Sequence, residues 1–222
     1  MRLFVALVPP PEAVEHLDAF LDVRRSAGQF RWATAEQFHV TLAFLADVEQ
    51  RRLDDLGERL ERAAAKRTAF ETAIAGGGAF PNAARARVIW AGLDLDEGAG
   101  SRDASRAPSL RSDTSRRSST SAADRGPREL GPRRLELDRL ATGCRAAANR
   151  AGVPVDGQRF RPHVTVARLG HPAEVSSWVR LLDGYAGPRW TADRVTLVDS
   201  HLGEGPRGRP RYDPVEEFPL SG

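Results

Sequence analysis

An α+β fold that arose by internal duplication is predicted by three observations on the 222-residue sequence. Two segments repeat one grammar of short β-branched runs and amphipathic helical stretches. Each carries the pattern His-x-Thr inside an apolar run, at a matching place. Between them lies a stretch of Ser, Arg, Ala and Pro without hydrophobic periodicity, which cannot bury enough apolar surface to offset its ordering entropy.

The elements follow in order. Leu3-Phe4-Val5-Ala6-Leu7-Val8 reads as a first strand near 2–8 that stops at Pro9-Pro10-Pro11. It is too short to span a membrane and lacks a small-residue cleavage site. A helix near 11–26, a short strand at 30–33 and a strand at 38–45 come next. The helix near 48–66 carries Leu53, Leu56, Leu60 and Ala64 at helical spacing, with Asp47 as its expected cap. Strands near 69–75 and 86–95 close the first half. Gly76-Gly77-Gly78 is expected to break the first of them at a turn or bulge.

Residues 97–134 are expected to be a disordered linker. A helix over about 134–151 then carries Leu137, Leu140 and Cys144, ended by Gly152 and Pro154. A strand near 163–169, a helix near 172–183 and strands near 190–201 and 209–218 complete the chain. Arg194-Val195-Thr196-Leu197-Val198 is a β-branched run of the kind strands favour.

Apolar residues make up 41 % of the sequence, enough for a globular core. The lone Cys144 excludes an internal disulfide and any cysteine-rich metal site, which fits a reducing cytoplasm. It is read as a small buried helix residue. The net charge is +3, but residues 101–134 hold nine arginines against four acids, a net +5 that leaves −2 elsewhere. The basic balance therefore says little about whether the folded part binds nucleic acid.

The motifs carry the chemistry. Phe38-His39-Val40-Thr41-Leu42-Ala43-Phe44 and Pro162-His163-Val164-Thr165-Val166-Ala167 each put His and Thr on one face of a strand and apolar residues on the other. If the halves are related by a pseudo-twofold, the two polar faces can line one cleft. Cleaving a phosphodiester needs a base to activate water and an acid to protonate the leaving oxygen, and imidazole suits both near neutrality. Threonine hydroxyls can donate to the non-bridging oxygens. No metal is expected, because each motif offers one ligand and no Asp, Glu or Cys nearby completes a set.

These residues resemble the RNA 2',3'-cyclic phosphodiesterases of the 2H phosphoesterase superfamily, also called 2'-5' RNA ligases. The resemblance spans nearly the whole chain outside 97–134. Beside the paired motifs it rests on Arg2-Leu3-Phe4-Val5-Ala6, Arg31-Trp32, Leu45, Phe80-Pro81-Asn82, Phe160-Arg161, Arg168, Ser200-His201-Leu202-Gly203 and Arg211-Tyr212. Ala46 stands where the family often has Gly. The resemblance implies a single bilobal domain with pseudo-twofold symmetry, two antiparallel sheets lining a central cleft, and helices outside.

It further implies hydrolysis of a terminal 2',3'-cyclic phosphate on RNA to a 2'-phosphate, reversible as ligation, without metal or cofactor, by a cytoplasmic monomer. By analogy His39 protonates the 3'-oxygen and His163 activates water, although the residues themselves leave the two roles open. Thr41 and Thr165 would bind phosphate and Arg168 would add positive charge. Alternatives are a phosphodiesterase of small cyclic phosphates or 2'-5' oligonucleotides, and a non-catalytic RNA-binding module.

The remaining histidines are assigned blander places: His16 on the surface of the first helix, His171 at a helix start before Pro172, and His201 at a strand end near the cleft rim. Phe4, Trp32 and Phe80 are open to either core packing or stacking on a base.

Overall fold

A computed structural model describes residues 1–95, 131–157 and 159–222. Most of the expected linker lies outside the described residues. Its last residues do not belong to it, because Pro132 opens a helix.

The first strand, β1 (Leu3–Leu7), is buried at every position and lies between two others. Helix α1 (Pro11–Arg25) starts with a proline in its first turn, where no amide partner is lost, and buries Ala13, Leu17 and Leu21 at four-residue spacing. The short β2 (Arg31–Trp32) and β3 (Val40–Leu45) follow. Helix α2 (Leu53–Ala64) is preceded by a 3-10 turn at Gln50–Arg52 and has no side-chain cap, so Asp47 does not serve as one.

Of the turn or bulge expected at the glycines, strand β4 (Phe70–Phe80) has the bulge, and it runs past its expected end near 75. It bulges between Ile74 and Gly77 in its pairing with β5 (Ala86–Asp94), with Gly76 at φ +70°, and then continues. Gly78 is needed for close approach: a Cβ there would lie 2.1 Å from the Trp90 ring.

In the second half, α3 (Pro132–Arg150) buries Leu137, Leu140, Cys144 and Ala148. Gly152, at φ +73°, lets the chain turn away from its end. Strand β6 (Val164–Ala173) runs longer than expected and takes in His171 and Pro172, since Ala173 still pairs with Ala86. Helix α4 accordingly begins at Ser176 and ends at Asp183. The strand expected over 190–201 is two, β7 (Ala186–Ala192) and β8 (Arg194–His201), before β9 (Arg211–Pro219).

The expected α+β class and cleft-lining sheets are present, with one refinement. Pairing runs β7-β4-β5-β6-β3-β1-β8-β9, with β2 beside β6. The two sheets are thus wings of one curled sheet, and β3 meets β6 at the single pair Val40–Val164. Each wing draws strands from both halves of the sequence. The wing β7-β4-β5-β6 is covered by α1 and α4, the wing β3-β1-β8-β9 by α2 and α3.

The main core is shared: Leu3, Val5 and Leu7 on one face of β1 join Val40, Leu42, Leu140, Val164 and Val166. On the opposite face Phe4, Ala6 and Val198 form a small cluster with Phe44 and Tyr212 against it. Among the described residues no helix is long and apolar enough to cross a membrane.

Candidate active site

The Val40–Val164 pair is the centre of the site. In an antiparallel ladder its flanking positions place His39 beside Thr165 and Thr41 beside His163. Val40 and Val164 are fully buried, so all four polar side chains project to the other face. They line one cleft of about 430 Å³. The structure thus brings together His39, Thr41, His163, Thr165 and Arg168, all five residues expected to form the site.

Each imidazole is held the same way. His39 Nδ1 lies 2.8 Å from the Gln37 carbonyl and His163 Nδ1 lies 2.6 Å from the Arg161 carbonyl, in both cases two residues upstream. A carbonyl only accepts, so Nδ1 carries the hydrogen and donates. Nε2 is left as the nitrogen available to the cleft. The His39 ring stacks on Phe4 at 4.6 Å and meets Tyr212 edge-on at 5.3 Å. The His163 ring meets Phe80 edge-on at 4.9 Å.

Both imidazoles are easier to keep neutral than in water. Burial pulls the His39 pKa from 6.5 down to about 4, against the Gln37 carbonyl, with further lowering by His163 and Arg168. Burial likewise lowers His163, opposed by the Arg161 carbonyl and assisted by Arg168. That His163 acts electrostatically on His39 fits their common cleft.

Arg168 reaches the cleft because β6 is irregular. Five residues after His163, a regular strand would aim it at the core. The register between β5 and β6 slips at Thr165–Ala167, so Val166 is an extra residue, and Val166 and Ala167 are both fully buried. The bulge returns Arg168 to the face of His163 and Thr165. The first motif does the same. Register between β1 and β3 slips at Thr41–Ala43, Leu42 and Ala43 are both buried, and Phe44 turns into the cleft.

Positive charge gathers here despite the acidic balance outside 101–134. Arg2, Arg31, Arg168 and Arg209 line the cleft, and no carboxylate does among the described residues. Arg2 lies 4.4 Å over the Phe44 ring. Such a cleft suits an anion.

Arg2, Arg31, Phe44, Arg209 and Tyr212 were not singled out from the sequence as site residues. Arg2 and Tyr212 sit on or beside the strands β1 and β9 along the cleft, and Arg209 arrives from the β8–β9 connection, so only tertiary structure joins them to the motifs. Phe4 and Trp32 are buried, at 3 % and 8 % exposure, yet both line the cleft. His201 ends β8 amid Asp199, Asp213 and Glu204, at 3.4, 3.2 and 3.6 Å, and does not line the cleft. His16 Nδ1 lies 3.0 Å from the Tyr185 hydroxyl, away from the site.

Comparison with known proteins gives a family and a fold. A family model described as LigT-like phosphoesterase matches residues 7–90 and 130–207. A protein of Thermus thermophilus named RNA 2',3'-cyclic phosphodiesterase is 28 % identical over 232 residues, covering all of this chain and 91 % of its own length. A Geobacillus stearothermophilus protein of the same name is 25 % identical over 99 % of this chain, and one from Aeropyrum pernix is 30 % identical over 66 % of it.

The chain spans 57 % and 61 % of the lengths of the Geobacillus and Aeropyrum relatives. Among solved structures, the Thermus thermophilus protein TT0787 superposes with a TM-score of 0.65 at 27 % identity, covering all of this chain and 99 % of the other. Escherichia coli LigT in apo form does so with a TM-score of 0.65 at 21 %, covering all of this chain and 98 % of LigT, a likeness of fold.

Proposed function

The chain belongs to the LigT-like phosphoesterase family, and on that premise we propose that it opens 2',3'-cyclic phosphates at RNA ends by two-histidine acid–base catalysis. The observation that carries this reading is the matched presentation of His39 and His163 in one arginine-lined cleft, each with Nδ1 tied to a carbonyl. The relatives named RNA 2',3'-cyclic phosphodiesterase supply the substrate class.

The cyclic phosphate sits between the imidazoles, its non-bridging oxygens accepting from Thr41 and Thr165. One neutral imidazole, His163 by family analogy, takes a proton from water through Nε2 as the water oxygen attacks phosphorus. The other, His39, protonated on Nε2, delivers its proton to the departing 3'-oxygen. One P–O bond forms, one breaks, and the products are a 2'-phosphate and a 3'-hydroxyl. Arg168 stabilises the charge that builds on phosphorus oxygens. With a 5'-hydroxyl in place of water, the same steps leave a 2'-5' linkage.

The test is to incubate the protein with an oligonucleotide bearing a 2',3'-cyclic phosphate and identify the product by phosphorus NMR. A 2'-phosphomonoester, formed equally in EDTA and absent with His39→Ala or His163→Ala, is the expected result. A 3'-phosphate product, or unimpaired turnover in either variant, overturns the reading.

A further inference from the structure

Beyond the histidines the cleft does not end. Thr41, Phe44, His163, Thr165 and Arg168 also line a second cavity of about 640 Å³ on their other flank. Its remaining walls bring Phe80 from the end of β4, Arg145 from α3, and Arg159, Phe160 and Arg161 from the loop before β6. Three phenyl rings and four arginines thus line it, with Leu42, Ala43, Val88 and Asp156, the one carboxylate among the described lining residues.

The pocket is built rather than accidental. Asp156 N–H donates to the Phe44 carbonyl at 3.3 Å, and Val155 bridges to Leu45, which ties the loop to β3. Arg145 donates to the Asp156 carbonyl at 2.6 Å, which ties it to α3. The Arg161 guanidinium stands 5.8 Å over the Phe80 ring.

Rings interleaved with guanidiniums are what a single-stranded nucleic acid needs, because every base has a π-face and every linkage a charge. A nucleoside 2',3'-cyclic phosphate has two further exits from its ribose: the base at C1' and, at an RNA end, the upstream phosphate at C5'. The cleft has two extensions from its shared His/Thr/Arg set.

We propose that the Phe80–Phe160–Arg159 pocket is a subsite for the nucleotide upstream of the cyclic end, so that a cyclic-ended strand of two or more nucleotides is turned over more efficiently than a free cyclic mononucleotide. This rests on the proposed phosphodiesterase reading. One extension then takes the terminal base and the other takes the penultimate phosphate and base.

The experiment measures kcat/KM on a cyclic mononucleotide and on cyclic-ended strands of two to six nucleotides. The expected result is a rise of about 5- to 100-fold from one nucleotide to two or three, chiefly through KM, the range that one stacked base provides. Arg159→Ala and Phe160→Ala should each remove a large part of that gain with mononucleotide turnover kept, and Arg159→Lys and Phe160→Tyr should restore it.

Equal kcat/KM on one nucleotide and three overturns the subsite while the phosphodiesterase reading stands. A parallel loss on both substrates in Arg159→Ala overturns it as well. No turnover of any cyclic phosphate overturns the reading beneath it and the subsite together.

Discussion

Phe44 and Arg168 occupy the same station on twin strands: each stands five residues after its histidine, and a bulge one residue past the threonine swings each into the cleft. The station is filled differently in the two copies. In the second it supplies a guanidinium directly. In the first it supplies a ring, and Arg2 rests 4.4 Å over that ring. The fold is thereby close to symmetric about the Val40–Val164 pair while the charge around the cleft is not.

Replacing either histidine by alanine is expected to lower kcat by about 10²- to 10⁴-fold, the usual contribution of a positioned proton donor or acceptor. Neither ring holds the main core together, so circular dichroism should be unchanged. Activity within about threefold of the parent in either variant would remove that residue from the mechanism.

Thr41→Val and Thr165→Val keep the β-branched shape and delete one donor. A fall in kcat of about 10²-fold is expected for each, with smaller change in KM, because the donor acts most on the charge of the transition state. Thr→Ser at each position should recover most of it. A change confined to KM would mean ground-state binding only.

The pH profile follows from the direction of the imidazole shifts. Burial favours the neutral forms of both, His39 with a pKa of about 4 and His163 below 6.5. The base must be neutral and the acid charged, so kcat/KM should be bell-shaped with its optimum on the acid side of 6.5. A bound phosphate favours imidazolium, so kcat should peak at higher pH. Arg168→Ala removes a cation that disfavours both imidazoliums. Both limbs of kcat/KM should then move to higher pH, which Arg168→Lys should not produce.

The same shifts couple to stability. Unfolded His39 binds its proton near pH 6.5 and the folded protein resists it until about 4, so the unfolded state holds more protons in between. Stability is therefore complete above 6.5 and is lost as pH falls toward 4, by at most about 3 kcal/mol. His39→Asn should flatten urea-unfolding stability across that window. An unchanged slope would deny the shift.

Gly78→Ala would drive a Cβ into Trp90, whose ring lies 5.4 Å from Phe80 and 6.2 Å from His163. Overpacking of this kind costs about 1–3 kcal/mol. Thermal melting should show that loss together with reduced kcat, because Trp90 and Phe80 set the seat of His163. Full activity at lowered stability would separate the packing from the site.

What could be read in the sequence was whatever obeys a local period. Alternation on two strands placed His39 with Thr41 and His163 with Thr165 on one face, and the buried leucines of α1, α2 and α3 fell at helical spacing. Alternation also hid the rest. An extra residue at Leu42 and at Val166 is invisible as a break in pattern, so Phe44 had no reason to be counted with the site, and Arg168 was assigned on resemblance. Gly76-Gly77-Gly78 is irregular in the sequence, but only pairing with β5 shows that β4 passes through it. Asp47 had cap chemistry without position, because a 3-10 turn intervenes before α2.

The interlacing of the two wings has a consequence for how the molecule comes apart. β1 and β3 stand in one wing while β4 and β5, from the same half of the sequence, stand in the other, and β6–β7 and β8–β9 are divided in the same manner. Neither half therefore encloses a core of its own, and neither wing is free to melt alone. A chain severed between β5 and α3 would leave two fragments, each the missing scaffold of its counterpart. They should be inert when made separately, regain a shared structure on mixing, and, in the intact protein, give way in a single cooperative transition.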